Sequence, residues 1–156
     1  MFKRLGRAGR HSAALVQTLP SASRRALLGR MIRFSRSLPG QFDQPLPQMM
    51  AGLTPPPIAT DLPTATVRQL ADAVAVWHLR SPLGICLRRS LLRYYFLREV
   101  ELPVRIVFGA RLKTEAEGGG LGGHAWLALH DQPYYENPAD YEGFVVMYVY
   151  PPEGGQ

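Results

Sequence analysis

The spacing of apolar residues changes at Pro103, and this change constrains the possible folds more than any other feature of the chain. Upstream of it, one stripe of apolar residues has helical spacing: Val67, Leu70, Val74 and Trp77. Downstream, residues 104–112 alternate and are rich in β-branched side chains, which is typical of a strand. Helices that precede strands, without alternation between them, predict an α+β fold with helices packed on a small antiparallel sheet.

Two helices are predicted shortly before this change. The first covers residues 64–79, with Thr64 or Thr66 as its N-cap. The second has Ser81 as N-cap and Pro82 as its first residue, and it ends near Val100. Four arginines of this second helix are expected on a solvated face: Arg88, Arg89, Arg93 and Arg98.

The part of the chain after Pro103 predicts an antiparallel sheet. The expected strands cover residues 104–112, 124–130, 134–136 and 144–150. The Gly-rich residues 113–123 are expected to form a flexible loop, and Asp131-Gln132 a two-residue hairpin turn.

Three regions are predicted along the chain. A basic helical region covers residues 1–40, a Pro-rich linker covers residues 41–63, and an α+β domain covers residues 64–150. Pro20 divides the first region into two helical pieces, the second capped by Ser21 or Ser23. The prolines between residues 39 and 63 predict an extended segment without helices.

The net charge of +6 originates in residues 1–40, which contain no Asp or Glu. The rest of the chain has more acidic than basic residues. A region of this kind binds an acidic protein, nucleic acid or a membrane surface, or it forms a solvated helix face. We expect no nucleic-acid partner, because no recognition motif is present, and keep contact with a membrane surface as an open alternative. No apolar stretch reaches the length of a membrane span or signal peptide, so we expect a cytoplasmic protein.

Cys86 is the only cysteine, which excludes an intramolecular disulfide and a Cys-rich zinc site. We expect neither a metal nor a cofactor. If the helix starts at Pro82, Cys86 lies near its first turn, where free backbone N–H groups and the helix dipole favour thiolate over thiol. The same N–H groups can stabilise the oxyanion that forms when a carbonyl is attacked. Cys86 is therefore a candidate nucleophile, although a buried core cysteine would look similar in sequence.

His124 is the candidate base, because it follows a glycine run, opens a predicted strand and has a side chain that titrates near neutral pH. Three residues are candidates for orienting its ring. With Asp131-Gln132 as the turn, Asn137 is a diagonal neighbour of His124 on the same face of the sheet. A longer turn brings Glu136 to that face instead, and Asp140 lies just outside the hairpin.

Three segments resemble one family when taken together and in order. They are residues 84–91 (Gly-Ile-Cys-Leu-Arg-Arg-Ser-Leu), 102–109 (Leu-Pro-Val-Arg-Ile-Val-Phe-Gly) and 123–127 (Gly-His-Ala-Trp-Leu). The chain resembles the lasso-peptide biosynthesis B2 proteins, which are small members of the transglutaminase-like superfamily. The resemblance covers about residues 64–150 and implies a papain-like or transglutaminase-like core.

This resemblance implies a Cys-His-Asp protease that removes the leader from a ribosomally made precursor peptide. Cys86 and His124 match the family motif, whereas the third position offers Glu136-Asn137 in place of the usual Asp. The family implies three partners: the precursor peptide, a separate leader-recognition protein and an ATP-dependent lasso cyclase. Two alternatives remain open, namely acyl transfer to an amine, as in a transglutaminase or amide ligase, and a non-catalytic peptide-binding module.

Overall fold

The computed structural model describes residues 21–77 and 81–152. The described residues form two compact units, which are divided between Leu102 and Pro103. The described helices of the first unit precede the sheet of the second, which confirms the predicted α+β class. No described helix combines the length and the apolar character that crossing a bilayer requires.

The first unit contains four α-helices and one 3₁₀ helix among its described residues. They are α1 (Ala22–Ser37), a 3₁₀ helix (Leu38–Asp43), α2 (Leu46–Gly52), α3 (Thr64–Trp77) and α4 (Ile85–Glu99). Ser21 caps α1, accepting a hydrogen bond from the backbone N–H of Arg24 at 3.3 Å, so the second predicted N-terminal helix is confirmed. The first, before Pro20, lies outside the described residues, as do residues 78 and 79 of the predicted helix 64–79.

The prediction that residues 39–63 contain no helix is wrong. The 3₁₀ helix and α2 both lie largely within this range, with a proline at one of the first two positions of each. Proline is compatible with the first turn of a helix, because the N–H that it lacks has no partner inside the helix there. Met49 and Met50 of α2 are fully buried, so this segment contributes to the core of the first unit.

The prediction of a solvated arginine face on α4 is also wrong for two of its members. Arg88 and Arg93 are only 5% and 3% exposed. Arg93 binds both carboxylate oxygens of the buried Asp72 on α3, from Nε at 2.5 Å and from Nη2 at 2.9 Å. Arg68 also reaches Asp72, at 3.3 Å. A buried charge needs such partners, so these contacts explain how α4 carries arginines on its inner side.

The second unit is a four-stranded antiparallel sheet with the order β3-β2-β1-β4. Its described elements are β1 (Val104–Leu112), a short 3₁₀ helix (Glu115–Glu117), β2 (Leu121–Leu129), β3 (Gln132–Pro133), the short helix α5 (Pro138–Tyr141) and β4 (Val145–Tyr150). The bounds of β1 are those predicted. In the ladder between β1 and β2, Val104 pairs with Leu129 and Leu112 pairs with Leu121.

Three details of the predicted hairpins are wrong. β2 begins at Leu121, three residues before His124, so the loop before it is shorter than predicted. Leu129 pairs with Gln132, which makes His130-Asp131 the turn instead of Asp131-Gln132. Both turn residues have positive φ, 49° and 61°, as type I′ turns require. The predicted return strand 134–136 is absent, because β3 ends at Pro133.

Candidate active site

Cys86 is the second residue of α4. The helix begins at Ile85 and not at Pro82, with Gly84 as N-cap. Ser81 instead accepts a hydrogen bond from the N–H of Leu83 at 3.2 Å, so its side chain caps a turn before the helix. The N–H of Arg88 makes the bond to the carbonyl of Gly84 at 3.1 Å. The N–H groups of residues 85–87 therefore precede the first helical bond, and no N-cap side chain accepts from them.

Cys86 is half-buried. Gly84 is exposed, and a Cβ placed there would lie 4.0 Å from Sγ. A half-buried thiol beside N–H groups that no N-cap side chain occupies suits attack on a carbonyl, because those groups can bind the resulting oxyanion. With the helix starting at Ile85, Cys86 lies closer to these N–H groups than it would if the helix started at Pro82. This position favours its predicted role as nucleophile.

Arg88 joins the beginning of α4 to the end of α3. Its Nε and Nη2 donate to the carbonyl oxygen of Ala75 at 3.1 and 2.7 Å, and its Nη1 donates to the carbonyl of Leu83 at 3.0 Å. Burial lowers the pKa of the Arg88 guanidinium. Sequence patterns do not reveal this role, because one carbonyl acceptor lies thirteen positions away along the chain.

His124 lies on β2 opposite Gly109 of β1 and is half-buried. Its ring contacts two aromatic rings of the same unit. The ring of Trp126 is stacked at 5.8 Å between centroids, with an interplanar angle of 20°, and that of Phe144 lies at 5.3 Å. These contacts restrict the orientation of the imidazole.

Gly109 makes room for this aromatic cluster. A Cβ at this position would lie 2.8 Å from Cη2 and Cζ3 of Trp126, closer than real Cβ contacts allow, and 3.1 Å from Cβ of Phe144, which is tighter than most. Tyr141 of α5 stacks on Trp126 at 6.0 Å between centroids. The position of the His124 ring therefore depends on a glycine of the neighbouring strand and on an aromatic residue of α5.

The third predicted position lies in the segment that follows β3. The N–H of Tyr134 donates to the carbonyl of Leu127 at 2.8 Å, but Tyr135 has a positive φ of 51° and the chain leaves the sheet there. The predicted placement of Asn137 as a diagonal neighbour of His124 within the sheet is therefore wrong. The choice between Glu136 and Asn137 as the residue that orients His124 does not follow from strand register, because neither residue lies in a strand.

The three candidates nevertheless differ in their surroundings. Asn137 is exposed and is the N-cap of α5, where its Oδ1 accepts from the N–H of Ala139 at 3.3 Å. Glu136 is half-buried, and Asp140 is half-buried within α5. The side-chain oxygen of Asn137 thus caps α5, and Glu136 is the more buried of these two adjacent residues.

The loop before β2, which was predicted to be flexible, is held by several side-chain hydrogen bonds. Arg111 binds the carboxylate of Glu117 through two nitrogens, and Glu117 forms a capping box with Thr114. The Arg111 guanidinium, with help from Thr114, lowers the pKa of Glu117 to about 2. Arg111 also lies over the ring of Phe144 at 5.2 Å, so the loop is linked to the aromatic cluster around His124.

Comparison with known proteins gives one family. The model of the transglutaminase-like superfamily matches residues 28–149. Searches among curated proteins and among solved structures found no match. The matched segment contains all five predicted site residues: Cys86 in the first unit, and His124, Glu136, Asn137 and Asp140 in the second.

Proposed function

Because this chain belongs to the transglutaminase-like superfamily, we propose that it is a cysteine peptidase that removes the leader from a ribosomally made precursor peptide, with Cys86 as nucleophile. One observation carries the proposal. The only cysteine of the chain is the second residue of α4, beside N–H groups that no N-cap side chain occupies. The motifs around Cys86 and His124, which resemble the lasso-peptide B2 proteins, supply the substrate class.

The proposed reaction has two steps. The Cys86 thiolate attacks the carbonyl carbon at the leader junction, and the C–N bond breaks to leave a thioester. The His124 imidazolium gives its proton to the departing amine. Water then attacks the thioester while His124 takes a proton from it, and the C–S bond breaks to release the peptide acid. Cys86 is then again a thiolate and His124 an imidazolium. N–H groups at the start of α4 stabilise the oxyanion in both steps.

We assign Glu136 as the residue that orients His124. A carboxylate holds the imidazole in one tautomer and stabilises the imidazolium that forms during the reaction. The assignment is supported by the half-burial of Glu136 and by the use of the Asn137 side chain as a helix cap. Asn137 and Asp140 are the alternatives, and isosteric changes at all three residues distinguish between them.

The test uses the full chain with a lasso-type precursor peptide and a leader-recognition protein of the same family of systems. Mass spectrometry should show leader and core peptides with the wild type and intact precursor with Cys86→Ala. Adding a primary amine separates hydrolysis from acyl transfer, because a transferase would give the amide of the released acyl group. Cleavage retained by Cys86→Ala would overturn the proposal.

Reactivity of the thiol provides a second measurement that needs no substrate. Iodoacetamide adds one group to the wild type, and the site is unambiguous because the chain has a single cysteine. We expect His124→Ala to slow labelling near neutral pH at least tenfold, since the imidazolium no longer stabilises the thiolate. Equal slow labelling of both proteins would favour a non-catalytic peptide-binding module.

A further inference from the structure

β4 is an edge strand of the sheet, and it begins with three consecutive exposed apolar residues. Val145, Val146 and Met147 are 67%, 53% and 68% exposed. In the part of the chain that the structure describes, β4 pairs with β1 alone, so its other side offers backbone N–H and C=O groups without a strand beside them. Contiguous exposed apolar residues mark interaction sites, whereas scattered ones do not.

The opposite edge of the sheet is protected against pairing, and β4 is much less so. β3 has two residues, and one of them is Pro133, which has no N–H to donate. β4 has six residues and contains neither a proline nor a charged side chain. Short strands, prolines and charges are the usual means that keep an edge from adding a further strand. A β-bulge also protects an edge, but the bulge at Met147 leaves Val145 and Val146 paired with β1.

This edge is continuous with the candidate active site. Gly109 of β1 pairs with His124 on one side and with Val146 on the other, so the three residues form one row across the sheet. The side chains of such a row point to the same face. Neighbouring strands lie about 4.8 Å apart, which puts Val146 roughly 10 Å from His124. Phe144, directly before β4, contacts the His124 ring.

The chemistry of the edge selects its ligand. Free N–H and C=O groups of an edge strand bind the backbone of an extended chain, as in the addition of a peptide strand to a sheet. Exposed apolar side chains on both faces favour a peptide that also carries apolar residues, because successive residues of a strand point to opposite faces. A helical partner has already used its own backbone groups and satisfies only the second feature. The ligand class is therefore an extended peptide with apolar side chains.

We propose that β4 binds an extended segment of the precursor peptide as a further strand of the sheet. This inference rests on the proposed function, which makes that peptide the substrate. The added strand lies three strand spacings from β2, or roughly 14 Å. An extended chain covers this distance with about four residues, at about 3.3 Å per residue. The paired segment is therefore about four or more residues from the cleaved bond, and its residue beside Val146 points to the face of His124.

Strand addition has a signature in the peptide backbone. The full-length Cys86→Ala protein is titrated into a fluorescein-labelled lasso-type precursor peptide, and fluorescence anisotropy gives Kd. Each residue of the leader is then N-methylated in turn. We expect every second N-methyl group within the bound segment to weaken binding at least fivefold, because alternate N–H groups of an added strand face β4. Losses without this alternation, or none at all, would overturn the proposal.

Two lysine substitutions locate the bound peptide on the sheet. Val146→Lys places a charge on β4, and Leu121→Lys places one at a 70% exposed residue of β2, which is not an edge strand. We expect Val146→Lys to raise Kd for the precursor peptide at least fivefold and Leu121→Lys to change it less than twofold. Equal Kd values would contradict the site. With Cys86 present, both variants should react with iodoacetamide at the wild-type rate. Slower labelling in Val146→Lys would assign its effect to the active site instead.

The remaining outcomes separate this inference from its rivals. A second copy of the chain is the other occupant that an open edge fits. A wild-type dimer in analytical ultracentrifugation that Val146→Lys dissociates, and that the precursor peptide does not, would overturn the proposal. If Cys86→Ala still cleaved the precursor, the proposed peptidase would fail, whereas an alternating N-methyl pattern would stand. If cleavage required Cys86 but the pattern did not alternate, only the role of β4 would fail.

Discussion

The guanidinium of Arg88 donates two hydrogen bonds to the carbonyl oxygen of Ala75, at 3.1 and 2.7 Å. Ala75 lies near the end of α3, where carbonyl groups lack partners within the helix and carry the negative end of the helix dipole. The third bond of Arg88, to Leu83, holds the residue just before the N-cap of α4. Arg88 therefore fixes the place at which the helix of Cys86 begins.

Replacing Arg88 by Met should lower the free energy of unfolding by about 1–3 kcal/mol, because the carbonyls of Ala75 and Leu83 lose their donors. Urea denaturation measures this change. Arg98→Met is the matched control, since Arg98 is a half-exposed residue of the same helix, and it should cost less than about 0.5 kcal/mol. Arg88→Met should also slow the labelling of Cys86 by iodoacetamide, whereas equal labelling rates would restrict Arg88 to a role in stability.

Breaking the buried ion pair of Arg93 and Asp72 should lower the free energy of unfolding more than Arg88→Met does. Replacing Asp72 by Asn should cost about 3–5 kcal/mol, because the guanidinium of Arg93 stays buried without its counter-charge. The double variant Asp72→Leu with Arg93→Met removes both charges and should recover part of that loss. Urea denaturation of the two variants and the wild type tests this order. A double variant less stable than Asp72→Asn would contradict it.

The close approach of Gly109 to Trp126 predicts a coupling between β1 and the His124 ring. Gly109→Ala should cost about 1–3 kcal/mol and alter Trp fluorescence, because Trp126 must move away from the new methyl group. Since Trp126 stacks on His124, cleavage of the precursor should fall as well. Gly123→Ala is the control on the adjacent strand, because its Cβ would meet no atom within 4 Å, and it should be nearly neutral. Equal effects of the two changes would contradict this account.

The sequence predicted those elements whose signals are local. β1 has the bounds expected from alternation, and Ser21 caps α1 as expected. Hydrogen bonds between residues distant in sequence produce no local pattern. The buried bonds of Arg88 and Arg93 were missed for this reason.

The backbone conformation of residues 130–135 explains why the hairpin turn was placed one residue too late and why the third residue of the site could not be chosen from the sequence. His130, Asp131 and Tyr135 adopt positive φ, which non-glycine residues rarely do, so the composition of residues 130–135 did not predict it. The positive φ at Tyr135 ends the pairing before Glu136. For this reason alternation could not place the third residue of the site.

The ion pair of Arg111 and Glu117 predicts a pH dependence. The pKa of Glu117 is lowered from 4.5 to about 2, so its contribution to stability is present above pH 4.5 and is lost as the pH falls towards 2. A ¹³C NMR titration of the Glu117 carboxyl group should show this low pKa in the wild type. In Arg111→Gln the pKa should move back towards 4.5. A wild-type carboxyl group that titrates near 4.5 would contradict the ion pair.

The residue that orients His124 can be identified by comparing isosteric changes at the three candidates. If Glu136 has this role, Glu136→Gln should lower kcat by about 10²- to 10⁴-fold, because the amide no longer stabilises the imidazolium. Asp140→Asn should lower kcat less than tenfold.

Asn137→Ala should act mainly on stability. It removes the N-cap of α5 and should cost about 1 kcal/mol, with any loss of activity following the displacement of Tyr141 and Trp126. Asn137→Asp separates the two roles, since Asp also caps helices and supplies a carboxylate. Under our assignment Asn137→Asp keeps both stability and kcat near the wild type. A large loss of kcat in Asp140→Asn, with Glu136→Gln nearly unaffected, would transfer the role to Asp140.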